Sequence, residues 1–194
     1  MVTRLGILGG TFDPVHIGHL AAASQVHHDL GLDRVLLVPA NAQPLKPAPI
    51  ASGSDRLAMC HAAIANDPRF ETSDVDLVRG GATYSVDTLG DLRKAHPGAE
   101  FFFITGADSL ATLPQWKNYE ILVTLATFVG VQRPGHSLEQ LDAPHVLVDV
   151  PALAVSSTNV RDRVRAGAPI RYLVPDAVAQ YVEDHQLYLG GLHE

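Results

Sequence analysis

Eleven consecutive residues, Gly9-Gly10-Thr11-Phe12-Asp13-Pro14-Val15-His16-Ile17-Gly18-His19, join a short apolar run to a stretch with helical character. This junction constrains the fold more than any other feature. In a parallel sheet, the carboxyl end of a strand is where ligands bind. Gly9 and Gly10 carry no side chains, so an anion can approach the backbone there. The helix that follows points free N–H groups and the positive end of its dipole at the same place. His16 and His19 are three residues apart and share one face of a helical turn. Two imidazoles so placed can donate to phosphate oxygens, and Gly18 leaves room between them. They could also bind a metal, but no third or fourth ligand accompanies them in sequence.

The rest of the chain fits this start. Short apolar runs occupy residues 4–8, 34–39, 70–77, 100–105, 127–132 and 146–150. Helix-like stretches at 18–30, 54–66, 85–95 and 118–125 fall between most of them. Alternation of this kind predicts an α/β fold, a Rossmann-like doubly wound parallel sheet. Runs such as Val35-Leu36-Leu37-Val38 and Phe101-Phe102-Phe103-Ile104 are apolar at successive positions, as strands buried on both faces are. Ser54 and Ser85 are candidate N-caps, and Gly31 is a candidate end for the first helix. Residues 40–53 hold Pro44, Pro47, Pro49 and Gly53 and are predicted to be a loop. Stretches 156–166 and 175–185 predict two further helices. Residues 1–150 are therefore expected to form a nucleotide-binding α/β domain. Residues 151–194 are expected to form a small helical subdomain of the same compact unit.

Composition excludes several classes. The 194 residues suit one domain with a large core, since 46 % are apolar. Cys60 is the single cysteine, which rules out an intrachain disulfide and a multi-cysteine zinc site. No signal peptide is read at the N-terminus, and no apolar run is long enough to span a membrane. A cytoplasmic enzyme with no membrane partner is expected. The formal net charge of −7 argues against a nucleic-acid partner, but a small anion needs only local cations. The P-loop, dinucleotide and hydrolase-elbow signatures are all absent.

His16-Ile17-Gly18-His19 resembles the His-x-Gly-His motif of the nucleotidyltransferase superfamily, and the longer string Gly9 to His19 resembles the nicotinate-nucleotide adenylyltransferases in particular. Val155-Ser156-Ser157-Thr158-Asn159-Val160-Arg161 is similar to that family's Ile-Ser-Ser-Thr-x-Ile-Arg. The similarity covers nearly the whole chain. The second segment also has its own physical sense: hydroxyls, free N–H groups and a guanidinium meet at a helix start, which is an anion site.

The resemblance implies transfer of AMP from ATP to nicotinate mononucleotide, giving nicotinic acid adenine dinucleotide, a precursor of NAD, and pyrophosphate. It implies that Gly9, Gly10, Thr11, Phe12, Gly18, Gly106, Asp108, Arg133, Ser156, Ser157 and Thr158 contact ATP. Asp108 stands in Gly106-Ala107-Asp108-Ser109-Leu110, which matches a Gly-x-Asp-Ser-Leu segment beside the nucleotide. Thr83, Tyr84 and Ser85 match the segment that holds the nicotinate carboxylate, and Trp116 matches the ring that stacks on the pyridine. His16, His19, Lys46 and Arg161 are the implied catalytic groups. Where the family often has Pro-Pro-His-Lys, this chain has Gln43-Pro44-Leu45-Lys46, so Leu45 replaces the histidine. Lys46 is then expected to steady either the outer phosphates of ATP or the incoming phosphate. Mg²⁺ is expected to arrive bound to the ATP phosphates. The sequence is compatible with a homo-oligomer and does not fix one.

Three rival readings follow from the same residues. Another small adenylyl- or cytidylyltransferase would share His16 and His19 but take a different acceptor. A silent nucleotide-binding module would bind ATP without releasing pyrophosphate. An aminoacyl-tRNA synthetase also carries His-Ile-Gly-His, but this chain is short and acidic for that role.

Overall fold

A computed structural model describes residues 2–44, 46–132, 145–151 and 153–190. Six strands form one parallel sheet: β1 (Arg4–Gly10), β2 (Arg34–Pro39), β3 (Phe70–Thr72), β4 (Glu100–Gly106), β5 (Thr127–Gln132) and β6 (His145–Asp149), in the spatial order β3-β2-β1-β4-β5-β6. Every pairing is parallel, and β1 lies at the centre, with Ile7 opposite Leu36 on β2 and Phe103 on β4. The chain leaves β1 toward β2 on one side and later returns to β4 on the other. The crevice between the carboxyl ends of β1 and β4 is thus the topological switch point, where doubly wound sheets bind ligands.

Helices cover both faces: α1 (Ile17–Asp29), α2 (Gly53–Ile64), α3 (Val75–Arg79), α4 (Ser85–Ala95), α5 (Ala107–Leu110), α6 (Tyr119–Leu125), α7 (Ser157–Arg165) and α8 (Asp176–Asp184). The period-two alternation of the strands divides the core in two. Leu8, Leu37, Phe102, Ile104 and Val129 pack with Val26 of α1, Met59 of α2, Val160 of α7 and Val178 of α8. Leu5, Ile7, Leu36, Phe103 and Phe128 pack on the other face with Leu89 and Leu92 of α4, Leu110 of α5 and Leu122 of α6. Each such fully buried side chain contributes about 1.5–3 kcal/mol. The C-terminal helices therefore share a core with the sheet.

The predicted strand over 70–77 is shorter than expected. It ends at Thr72, and Val75–Arg79 winds into α3. Asp76 there is buried, accepting from Arg79 and from Thr88 Oγ1 at 2.7 Å, so a polar side chain occupies the middle of what the sequence presents as an apolar run. Ser52, not Ser54, caps α2, accepting from the N–H of Asp55 at 3.1 Å, because Gly53 is already helical. Tyr84 holds the cap position of α4 in extended backbone with no side-chain cap, which makes Ser85 the first helical residue. Gly31 ends α1 as expected, at φ +56°. Helix α5 and a 3₁₀ turn at Leu113–Gln115 had no counterpart in the periodicity, being too short to show a helical pattern repeating.

Candidate active site

The site forms where β1 ends. Gly10 is followed by Phe12 in left-handed backbone at φ +49°, which drives the Phe12 ring into the core. A Cβ at Gly10 would lie 2.9 Å from that ring, so only glycine fits over it. The sequence pointed to Phe12 as an ATP contact. Its ring is buried and meets His19 edge-on at 5.1 Å, so the ring supports the histidine.

His16 stands at the cap position of α1, and its N–H donates to His19 Nδ1 at 3.2 Å. That bond fixes the neutral His19 with its hydrogen on Nε2. The two rings stack with centroids 3.6 Å apart. Burial lowers the His16 pKa to about 4. Burial, then the neighbouring charges of His16 and Lys46, lowers that of His19 to about 3. Both imidazoles are therefore neutral near pH 7 and act as single N–H donors. His16 Nδ1 is buried without a protein partner.

The second sequence motif closes on the first. Arg161 donates to the Asp13 carbonyl at 2.7 Å and to Thr158 Oγ1 at 3.2 Å, and Ser157 Oγ donates to the Pro14 carbonyl at 2.8 Å. A Cβ at Gly18 would meet both the His16 ring and Val155 at 3.1 Å, so the glycine allows the two segments to touch. Ser156 Oγ caps α7, accepting from Asn159 N–H at 3.1 Å. The hydroxyls of Ser156 and Ser157 are thus engaged in holding the motif in place. The N–H groups of Ser157 and Thr158, in the first turn of α7, remain for an anion. Arg161 Nε is buried and lacks a protein partner.

The loop, expected over 40–53, ends at Ser52 because Gly53 begins α2, and it is tethered at several points. Thr11 Oγ1 donates to Gln43 Oε1 at 2.9 Å, and Asn41 N–H donates to Thr83 Oγ1 at 2.9 Å. Thr83 N–H donates to the Ala42 carbonyl at 2.7 Å. Thr83 therefore spends its amide and one lone pair on the loop rather than on a ligand. Lys46 is exposed on this loop, close enough for its charge to depress His19. Leu45 and Arg133 lie outside the described residues.

The α4 side of the crevice is more open. Gly9 faces Phe103, whose ring lies 3.6 Å from where a Cβ would be. Trp116 is half-buried, edge-on to Phe103 and Phe128 at 6.0 and 6.2 Å, with its indole N–H on Thr112 Oγ1 at 3.2 Å. Tyr84 packs against the same cluster, and Lys117 Nζ sits 4.3 Å from its ring centroid. Asp108 is exposed at the carboxyl end of β4, and a Cβ at Gly106 would touch nothing within 4 Å. The protein's own packing does not require that glycine, which leaves space beside Asp108.

Sequence reasoning missed the polar groups beneath the site. Asp13 is buried and accepts from Ile50 N–H at 2.8 Å, Ala51 N–H at 3.1 Å and Tyr188 OH at 2.8 Å. Arg56, 2 % exposed, donates to the Thr11 carbonyl at 2.7 Å and the Ala40 carbonyl at 2.6 Å. Only the Asp-Pro pair inside the first motif hinted at this; nothing at Arg56 or Tyr188 marks them in sequence.

A family model described as cytidylyltransferase-like matches residues 7–163. A protein of Corynebacterium kroppenstedtii named probable nicotinate-nucleotide adenylyltransferase is 52 % identical over 193 residues, covering 96 % of this chain and 91 % of that protein. Its namesake in Clavibacter sepedonicus is 50 % identical over 192 residues, covering 97 % and 96 %. The fold is similar to that of Plasmodium falciparum nicotinic acid mononucleotide adenylyltransferase complexed with NaAD, with a TM-score of 0.78 at 19 % identity, covering 96 % of this chain and 97 % of that one. The same Plasmodium enzyme complexed with APC gives a TM-score of 0.76 at 18 % identity, over the same shares of the two chains. No helix among the described residues is long and apolar enough to cross a membrane.

Proposed function

The chain belongs to the nicotinate-nucleotide adenylyltransferase family, within the wider cytidylyltransferase-like group, and on that premise we propose how its residues move AMP from ATP to nicotinate mononucleotide. The products are nicotinic acid adenine dinucleotide and pyrophosphate. The observation that carries the assignment of roles is the meeting of the two motifs at Asp13 and Pro14, where Arg161 and Ser157 bind the carbonyls that lead into His16.

The acceptor's phosphate oxygen is already an anion, so no side-chain nucleophile is required. It attacks the α-phosphorus in line, and the bond to the bridging oxygen of pyrophosphate breaks. Catalysis of this kind is positioning plus stabilisation of charge. His19, with its hydrogen on Nε2, donates to an α-phosphate oxygen, and His16, stacked on it, gives the second polar contact. A neutral imidazole offers one directed N–H donor to a phosphate oxygen. Gly9, Gly10, Thr11 and Gly18 let the phosphates reach the backbone. The α7 N–H groups of Ser157 and Thr158 and the positive charge of Arg161 take the leaving pyrophosphate. Lys46 reaches either that group or the incoming phosphate. Asp108, beside the open space at Gly106, accepts a ribose hydroxyl. The acceptor's ring lies on Trp116, with its carboxylate at the start of α4 near Tyr84 and Ser85.

The nucleotidyltransferase family generally works with a divalent cation. Among the described residues no three or more His, Cys, Asp or Glu side chains gather to hold a metal. The one buried carboxylate of the site, Asp13, is filled by three donors. We read the cation as Mg²⁺ carried on the ATP phosphates, as MgATP.

The test is pyrophosphate release from ATP and Mg²⁺ with a panel of acceptors: nicotinate mononucleotide, nicotinamide mononucleotide, phosphopantetheine and glycerol phosphate. Preference for nicotinate mononucleotide is expected. Preference for another acceptor would remove the roles given to Tyr84, Ser85 and Trp116 while keeping the histidine site. ATP binding without turnover on any acceptor would overturn the catalytic reading.

A further inference from the structure

Asp13 joins three parts of the chain. Its backbone leads into the turn that carries His16 and His19. Its Oδ2 accepts from Ile50 N–H, and its Oδ1 from Ala51 N–H, at the far end of the loop that carries Lys46. Its Oδ1 also accepts from Tyr188 OH at 2.8 Å, from a residue 175 positions away. Both partners are nearly sealed, Asp13 at 3 % and Tyr188 at 5 % exposure. Tyr188 stands just beyond α8, in left-handed backbone at φ +63°, with Gln186 at φ +50° before it. Left-handed backbone is unfavourable for a tyrosine and is kept only where its surroundings over-determine it. Here the ring is locked in the α1/α2/α7/α8 core and the hydroxyl on Asp13.

The far end of the loop is held differently from its near end. Arg56 clamps the near end through the carbonyls of Ala40 and Thr11. At 50 and 51 the anchor is the Asp13 carboxylate, which Tyr188 OH also holds. We propose that Tyr188 is a positioning residue: through Asp13 it holds the Lys46 loop in register with the His16–His19 turn, so that the C-terminal segment sets the geometry of phosphate binding. This rests on the adenylyltransferase reading for its kinetic consequence, but not for the anchoring itself.

The test pairs kinetics with exchange. Tyr188→Phe keeps the ring and removes only the hydroxyl. Its kcat/KM for ATP is expected to fall about tenfold. In a Lys46→Ala background the same change is expected to cost less than about twofold, because the loop then has no charge left to position. A residue that merely stabilises the fold would give equal losses in both backgrounds, or none, and either result overturns the proposal. Amide exchange in the unaltered protein supplies a readout independent of activity and of whether the variant folds. The Ile50 and Ala51 amides are expected to be protected far longer than that of Ala48, which lies between Pro47 and Pro49 on the same loop. Exchange at 50 and 51 as fast as at Ala48 would overturn the anchoring. If protection holds while the protein transfers no AMP to any acceptor, the anchor stands and the adenylyltransferase reading fails.

Discussion

The two halves of the crevice are built in different ways. On the α1 side, His16, His19, Arg161 and the start of α7 are tied to one another and to a buried layer beneath them, formed by Asp13, Arg56 and Tyr188. On the α4 side, Trp116 and Tyr84 each rest one edge on the core, Asp108 is exposed, and Gly80, half-buried, and Gly81, exposed, both have positive φ. The first half is preorganised around donors for oxyanions, and the second is a shaped apolar opening with few fixed polar groups. The chemical step should therefore depend on the first half and the choice of acceptor on the second.

The sharpest way to break this division is His19→Ala. Loss of one preorganised donor lowers kcat by about 10²–10³ with the fold retained. Circular dichroism with steady-state assay checks it, and near-normal turnover in a folded variant would remove His19 from the mechanism. Arg161→Lys comes next. A lysine keeps the charge but cannot span the Asp13 carbonyl, Thr158 and a phosphate at once, so kcat/KM should drop on the order of 10–10². An effect on the acceptor's KM alone would place Arg161 in the wrong half.

Trp116→Ala tests the other side. Loss of a stacking face raises KM for nicotinate mononucleotide about tenfold, with kcat and KM for ATP nearly unchanged. A collapse of kcat instead would mean that the two halves are not separable. The smallest expected effect is on stability. The His16 and His19 pKa values lie at about 4 and about 3, below the ordinary 6.5, so the unfolded chain takes up their protons first. Their contribution is therefore intact above pH 6.5 and is lost as pH falls toward 4 and then 3. Between pH 7 and pH 5 each should cost on the order of 1 kcal/mol, read by urea denaturation, and His19→Asn should flatten the decline.

What the sequence disclosed follows the same division. The sheet was legible because β1, β2, β4 and β5 are apolar at successive positions, and strands buried on both faces leave that mark. The histidine turn was legible because it packs several unusual residues into one string. The strand over 70–77 was misjudged because a buried Asp76, satisfied by Arg79 and Thr88, is invisible to a hydropathy pattern. The burial of the Phe12 ring was not legible, because its side-chain direction depends on a left-handed φ that the neighbouring glycines did not announce. Arg56 and Tyr188 escaped notice altogether. Each lies on or beside an ordinary amphipathic helix, and only the tertiary fold brings it to Asp13.

The central claim is that the group held at His16 and His19 is the α-phosphate of ATP, and that it moves to the acceptor. A single-turnover reaction with ATP labelled at the α-phosphorus, MgCl₂ and nicotinate mononucleotide tests this most directly. The label should appear in the dinucleotide, with unlabelled pyrophosphate formed at the same rate. Label left in free AMP, or phosphate released singly from the γ-position while the acceptor stays unmodified, would contradict it.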